Sequence, residues 1–367
     1  MEKLEATPTP FGPGADTAWL SWLRVVAICG VIAIHTLGTN AAEPNAHHTM
    51  RGLVAIVLDL GSAYTVPVFV MVSGAMLLDP ARFTTARDFL RKRALRLLPA
   101  VLFWNLAYYV FRELTTSHHL TLKSALGMAL EGNLYKHLYF FWIVLGLSLI
   151  TPILIPYIRE SPRGTVIASG LCLCAVPALA VASKGLRQAQ VGFDENAFTW
   201  WVPYLGFFVL GYGLRGVTLR GRWLLAAVAA AGAMAALTIW QWQNPAAARL
   251  NNYSPPSYYS VTGIVFALVV YVAFKGVVSP SGPLRVLCRP KAVRVGRLLG
   301  DATLGVFGLH FMVLVGARRL GLSGAENRLA GPAPTTHHEL LLLLVVTLVT
   351  WMAVLILRRA PLLHRVL

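Results

Sequence analysis

The chain repeats one feature ten times: an apolar run long enough, or nearly long enough, to cross a lipid bilayer. The runs lie at 18–38, 52–78, 97–111, 138–157, 165–183, 200–214, 223–241, 258–274, 299–317 and 339–357. A bilayer core asks for about 20 apolar residues per helix, because a spanning segment has to satisfy its own backbone hydrogen bonds there. Composition agrees, with 56% hydrophobic and only 13% charged residues among 367. The reading is an all-α polytopic integral membrane protein with about ten transmembrane helices in one bundle, and an ordinary soluble domain is excluded. The expected organisation is a polar tail over 1–17, a membrane domain over 18–357 and a short tail over 358–367. The first seventeen residues are polar and Pro/Gly-rich, without the pattern of a cleavable signal peptide.

The net charge of +17 raises the question of nucleic acid, but the placement of the charges answers it differently. Of 32 Lys and Arg residues, 22 fall on one set of alternating loops and 10 on the other. That asymmetry predicts both termini in the cytoplasm and no nucleic-acid partner. The basic excess is then topology signal and contact with anionic lipid headgroups. Cys29, Cys172 and Cys174 lie in apolar runs and Cys288 in a loop, so no disulfide framework is implied. The histidine pairs His47/His48, His118/His119 and His337/His338 have no Cys, Asp or Glu at ligand spacing. They read as solvated loop histidines, and no metal is expected.

Ionisable groups inside an apolar run are costly and mark pathways or reaction centres. The first run holds two, Arg24 and His35. Eleven residues at about 100° and 1.5 Å each place them on one helix face, roughly 16 Å apart. The bland alternative is a snorkelling arginine and a histidine hydrogen-bonded to a neighbouring helix. Asp59 in the second run sits at nearly the depth of His35. A His35–Asp59 contact would hold the imidazole in one tautomer and raise its basicity, as a general base requires; an Asp reaching water at a vestibule is the alternative. Pro67 and Ser73-Gly74 predict a kink or a close helix approach. Arg93 and Arg96, three apart at the start of the third run, share a helix face and suit phosphate oxygens, or else lipid headgroups. His137 opens the fourth run, Tyr204 to Tyr212 is a glycine-punctuated sixth, and His310 lies inside the ninth; His137 and His310 are candidate pathway residues.

The order of these landmarks resembles the membrane acyltransferase type 3 family. The residues that carry the resemblance are Arg24 and His35, Val66-Pro67-Val68-Phe69 through Ser73-Gly74, and Arg93-x-x-Arg96 before Leu98-Pro99. His137-Leu138-Tyr139, Gly206 to Tyr212 and Thr303-Leu304-Gly305 through His310 add to it, so that it spans nearly the whole chain. The resemblance implies a ten-helix enzyme that moves an acyl group, commonly acetyl, from cytoplasmic acyl-CoA to an extracytoplasmic hydroxyl of a glycan or lipid-linked glycan. It implies His35 as the catalytic histidine, with Arg24, Arg93 and Arg96 as functional arginines holding acetyl-CoA. It also implies a bacterial inner or plasma membrane, and a compact form without an appended hydrolase-like domain. Val70, Tyr139 and Phe307 depart from the usual aromatic pattern and bear on acceptor preference. Acylation of a small secreted metabolite is the nearby alternative. A secondary transporter of a glycolipid or small anion is the rival class, disfavoured because no two halves of the chain resemble each other.

Overall fold

The structure, a computed structural model, describes residues 15–43, 45–117, 119–187, 196–322, 335–361, 363 and 366–367. Residues 1–14 of the expected N-terminal tail lie outside the described residues, as does His118. The described chain is helical throughout, with no strand. In chain order the helices are α1 (Ala18–Ala41), α2 (Met50–Leu60), α3 (Thr65–Leu77), α4 (Ala86–Thr115), α5 (Leu122–Leu130), α6 (Tyr139–Glu160) and α7 (Arg163–Arg187). They continue as α8 (Leu205–Leu214), α9 (Gly221–Gln243), α10 (Ala248–Tyr253), α11 (Val261–Val277), α12 (Pro290–Arg319) and α13 (Thr336–Leu357).

Among the described residues eight segments are long and apolar enough to cross a membrane by length and composition, Met50–Leu77 being one of them. The expected sixth and eighth runs appear as the shorter apolar helices Val202–Leu214 and Val261–Val277. Hydroxyl side chains start several of the helices. Thr49, Thr85, Thr121 and Ser260 each accept from a backbone N–H in the first turn that follows, which satisfies a donor the helix cannot pair itself.

The second run is broken, not continuous. Pro67 lacks an N–H, and its ring clashes with the carbonyl four residues back, so a regular helix cannot run through Ala63. The chain turns at Gly61–Tyr64, where the Ser62 hydroxyl donates to the Leu58 carbonyl at 2.7 Å. Gly30 of α1 faces this turn. A Cβ there would come within 2.5 Å of Thr65 Cγ2, so the glycine is what lets α1 lie against the break.

The centre of the bundle is α8, in which Gly206 through Gly211 and Gly213 are all buried. It packs backbone to backbone on α3: a Cβ at Gly74 would meet the Phe208 carbonyl oxygen at 1.8 Å, and one at Gly211 the Met71 carbonyl oxygen at 1.9 Å. The close approach expected of Ser73-Gly74 and of the glycine-punctuated sixth run is therefore one shared interface. Around it α1 packs on α2, α3, α12 and α13, while α9 lies at the periphery against α11. The expected C-terminal tail folds back in part. Val366 and Leu367 are buried, and the Val366 carbonyl accepts from Trp104 Nε1 at 3.1 Å.

Candidate functional site

Helix α1 connects two polar regions through an otherwise apolar bundle. Near its start, Arg24 lines a cavity of about 150 Å³ together with Arg93 and Arg96 of α4 and Asp301 of α12. The three arginines singled out by spacing alone thus meet on one wall. The single run Ala86–Thr115 carries Arg93 and Arg96 into the bundle on a continuous helix that passes through Pro99. Two further cavities, of about 270 and 480 Å³, share Met76 with this one; Arg93 and Arg96 line the first of them and Arg24 the second. A third, of about 710 Å³, adds Lys92 and Arg358 around Arg96 and Asp301.

The electrostatics of this end are divided. Burial pushes the Asp79 carboxyl up, but the hydrogen bond and charge of Arg215 outweigh it and hold the group below its usual value. Asp79 therefore stays ionised and neutralises Arg215 at 3.1 Å and Arg82 at 3.5 Å. No acid is within ion-pair distance of Arg24, Arg93 or Arg96 among the described residues. Arg24 Nη2 donates instead to Met76 Sδ at 2.9 Å, and a thioether is a weak acceptor. Arg93 lies over the Phe89 ring at 5.4 Å. Three guanidiniums with few partners on one cavity wall suit an anion with several oxygens.

Three turns further along α1 lies His35, in a cluster that no single motif predicts. Its ring stacks on that of His310 at 5.3 Å and lies 4.5 Å from Phe311 and 6.4 Å from His137. His137 and His310 are 5.0 Å apart and fully buried. The three histidines named separately from the sequence thus come together from α1, α12 and the turn before α6. His310 Nδ1 is 2.7 Å from the Phe307 carbonyl oxygen. A carbonyl only accepts, so Nδ1 carries the proton and Nε2 keeps its lone pair. Among the described residues His310 Nε2 has no hydrogen-bond partner, and neither ring nitrogen of His137 meets one in good geometry. No metal-ready group of three His, Cys, Asp or Glu side chains occurs among the described residues.

Between the two regions stands an aromatic partition. Phe307 packs on Phe140 at 4.8 Å, and Phe140 on Phe69 at 5.8 Å. All three line the arginine cavity, and Phe307 also touches His137 at 5.3 Å and His310 at 5.9 Å. Tyr108 and Trp104 of α4 brace the far side: Tyr108 Oη donates to the Gly308 carbonyl at 2.7 Å, and the Trp104 ring occupies the space of a Cβ at Gly308.

The expected His35–Asp59 contact is corrected. Among the described residues no hydrogen bond or ion pair joins them. The Asp59 carboxylate faces Gly38, one turn beyond His35, where a Cβ would lie 3.7 Å from it. The break at Gly61–Tyr64 accounts for this, since α2 ends before it can run level with His35. Sequence reasoning named Phe307 only as a departure from the family's aromatic pattern, and it missed Phe311 and Arg318 as neighbours of the site. Their signal was present on α12, where Phe307, His310, Phe311 and Arg318 are spaced at i, i+3, i+4 and i+11 and so share one helix face.

The histidine loops resolve individually. His119 Nδ1 pairs with Glu113 at 2.7 Å, His338 Nδ1 accepts from the Thr335 N–H at the start of α13, and His47 stacks on His48.

A basic cavity at one end of a membrane-helix bundle, joined along one helix to a buried histidine cluster, defines an integral membrane protein built for group transfer. A family model described as an acyltransferase domain matches residues 17–356, nearly the whole chain. The chain belongs to the acyltransferase type 3 family and is a membrane acyltransferase. No curated protein and no solved structure matches it.

Proposed function

We propose that this enzyme transfers an acyl group, acetyl in the simplest case, from cytoplasmic acyl-CoA to a hydroxyl of an extracytoplasmic carbohydrate or lipid-linked glycan. The observation that carries the reading is helix α1 itself: Arg24 sits in a cavity shared with Arg93 and Arg96, and His35 sits three turns on among His137, His310 and Phe311. Acyl-CoA is an anionic nucleotide on a long flexible arm. Its phosphates suit the three arginines, and its arm is long enough to bring a thioester to the partition at Phe307. The excess of positive charge supports a cytoplasmic position for this end, at the inner membrane of a bacterium on this reading, with both termini on the same side.

Two routes fit the cluster. As a general base, His35 takes the acceptor's hydroxyl proton while the oxygen attacks the thioester carbonyl; the C–S bond breaks, and the CoA thiolate leaves and is protonated. As a carrier, the imidazole attacks the thioester carbonyl and releases CoA as its thiol; the acceptor oxygen then attacks the acyl carbon, the C–N bond breaks, and the imidazole leaves with the hydroxyl proton.

The test is release of CoA from radiolabelled acetyl-CoA by the purified protein, with label recovered in added glycans. Slow release to water is expected without an acceptor. No release at all, from a protein shown to bind CoA, would remove the reading.

A further inference from the structure

The end of the bundle beyond His35 is also cationic, and the topology rule does not ask for this. On the orientation proposed above it faces away from the cytoplasm, where arginine and lysine serve no orienting purpose. Yet Arg112 near the end of α4, Lys136 beside His137, and Arg318 and Arg319 at the end of α12 gather there. Arg318 Nη2 donates to the carbonyl of Thr36, the residue after His35, at 2.9 Å. Arg319 Nη2 donates to the Thr115 carbonyl, one turn past Arg112, at 2.6 Å. Tyr135, whose ring lies 5.1 Å from Phe311 and 5.9 Å from His137, is within electrostatic reach of Arg112, Arg318 and Arg319. Lys136 exerts the same influence on His35.

Glu339 lies within electrostatic reach of Arg318, and Arg112 within that of Glu113, but neither is in ion-pair contact as their neighbour is. Arg51, at the same end, is tied to Glu339 at 3.1 Å, Glu43 at 3.3 Å and Asn40 at 2.8 Å. The acids near the cluster are already engaged: Glu113 takes His119 and the Leu120 N–H, and Glu339 takes Arg51. Among the described residues none of Arg112, Lys136, Arg318 and Arg319 has an acid within ion-pair distance. The Arg112 Nε is buried without a hydrogen-bond partner. Backbone carbonyls fix Arg318 and Arg319 in place, and no hydrogen bond of their remaining donors is seen among the described residues, a preorganisation that suits oxyanion recognition.

We infer that Arg112, Lys136, Arg318 and Arg319 form an oxyanion site that seats a carboxylate or phosphate of the acceptor beside His35, so that the acceptor is an acidic glycan. The inference deepens the acyltransferase reading and names its acceptor class. A uronic acid and a sugar phosphate share the chemistry required.

The test measures binding to the full-length protein in nanodiscs of zwitterionic lipid. Two matched pairs serve as probes: p-nitrophenyl β-glucuronide against p-nitrophenyl β-glucoside, and glucose 1-phosphate against methyl glucoside. The acidic member of at least one pair should bind about tenfold more tightly, and which pair does so separates carboxylate from phosphate. The double substitution Arg112→Gln and Lys136→Gln should abolish the preference. Lys136 is exposed, so Lys136→Glu reverses a charge without disturbing packing and should weaken the preference even if the double variant misfolds. Equal binding within both pairs would overturn the site. So would a preference that survives these substitutions, or charge selectivity seen only as retention of phosphatidylglycerol. Intact acid selectivity in a protein that never releases CoA would uphold the site and defeat the acyltransferase mechanism instead.

Discussion

His35 is the residue on which the proposed chemistry turns, and its surroundings say how to test it. The ring lies against His310, Phe311 and His137 and is joined to Asp59 by no hydrogen bond or ion pair. On the reading proposed above His35 is the base or carrier, so His35→Ala should lower turnover by about 100-fold or more, with CoA affinity unchanged. His35→Gln should do the same, because glutamine cannot take a proton at neutral pH. Asp59→Asn should cost less than about tenfold, since Asp59 faces Gly38 and not the imidazole. Steady-state assays of the three variants check this; a larger loss in Asp59→Asn than in His35→Gln would move the base to Asp59. Arg24 and His35 were legible in the sequence because an ionisable side chain in an apolar run announces itself. The partnership of His35 with His137 and His310 was not, because it depends on the packing of α1, α12 and the turn before α6, across 102 and 275 residues of chain.

Helices meet in this protein by removing side chains, and the partition between its two polar regions depends on one such meeting. Phe307 can stand between the arginine cavity and the histidines because Gly308, its neighbour, lets α12 come up against Trp104 of α4. Phe307→Ala should therefore open the partition and let the enzyme accept longer acyl-CoAs, such as butyryl and hexanoyl, relative to acetyl; Phe307→Trp should slow all of them. Competition assays across chain lengths measure the shift, and an unchanged profile in both variants would take the partition off the acyl path. Gly74 tests packing alone. A methyl there meets the Phe208 carbonyl oxygen at 1.8 Å, a contact that only backbone movement relieves. Gly74→Ala should cost about 1–3 kcal/mol, read as a lowered unfolding temperature in detergent. Small residues in the third and sixth runs made this interface foreseeable. The break at Gly61–Tyr64 was not foreseen as a break, because a proline in an apolar run predicts a kink as readily as an end. Only the seat that Gly30 gives Thr65 decides between them.

At the scale of the whole molecule, charge placement and the proposed chemistry point the same way. Many of the basic residues counted on one set of loops line or flank the arginine cavities, so the end that the charge rule expects in the cytoplasm is also the end where the proposed donor would bind. Hydropathy made the bundle legible, since each apolar run of the sequence corresponds to a helical segment. It could not show that Asp79 pairs with Arg82 and Arg215, while among the described residues no acid is in ion-pair contact with Arg24, Arg93 or Arg96. That division makes the donor site separable from the fold. Removing Arg93 and Arg96 together breaks no ion pair among the described residues, so the double alanine variant should insert and unfold like the parent. Its affinity for CoA should fall by about 100-fold, as expected when two charge-assisted contacts are lost at about 1.5 kcal/mol each or more. The affinity of the parent should fall with added salt, and that of the variant should fall less steeply, because fewer charges remain to be screened. Isothermal titration with CoA and with dephospho-CoA, at two ionic strengths, measures both effects. A well-folded double variant that keeps the parent's affinity would put the nucleotide elsewhere, with the basic stretch from Arg285 to Arg297 the next place to substitute.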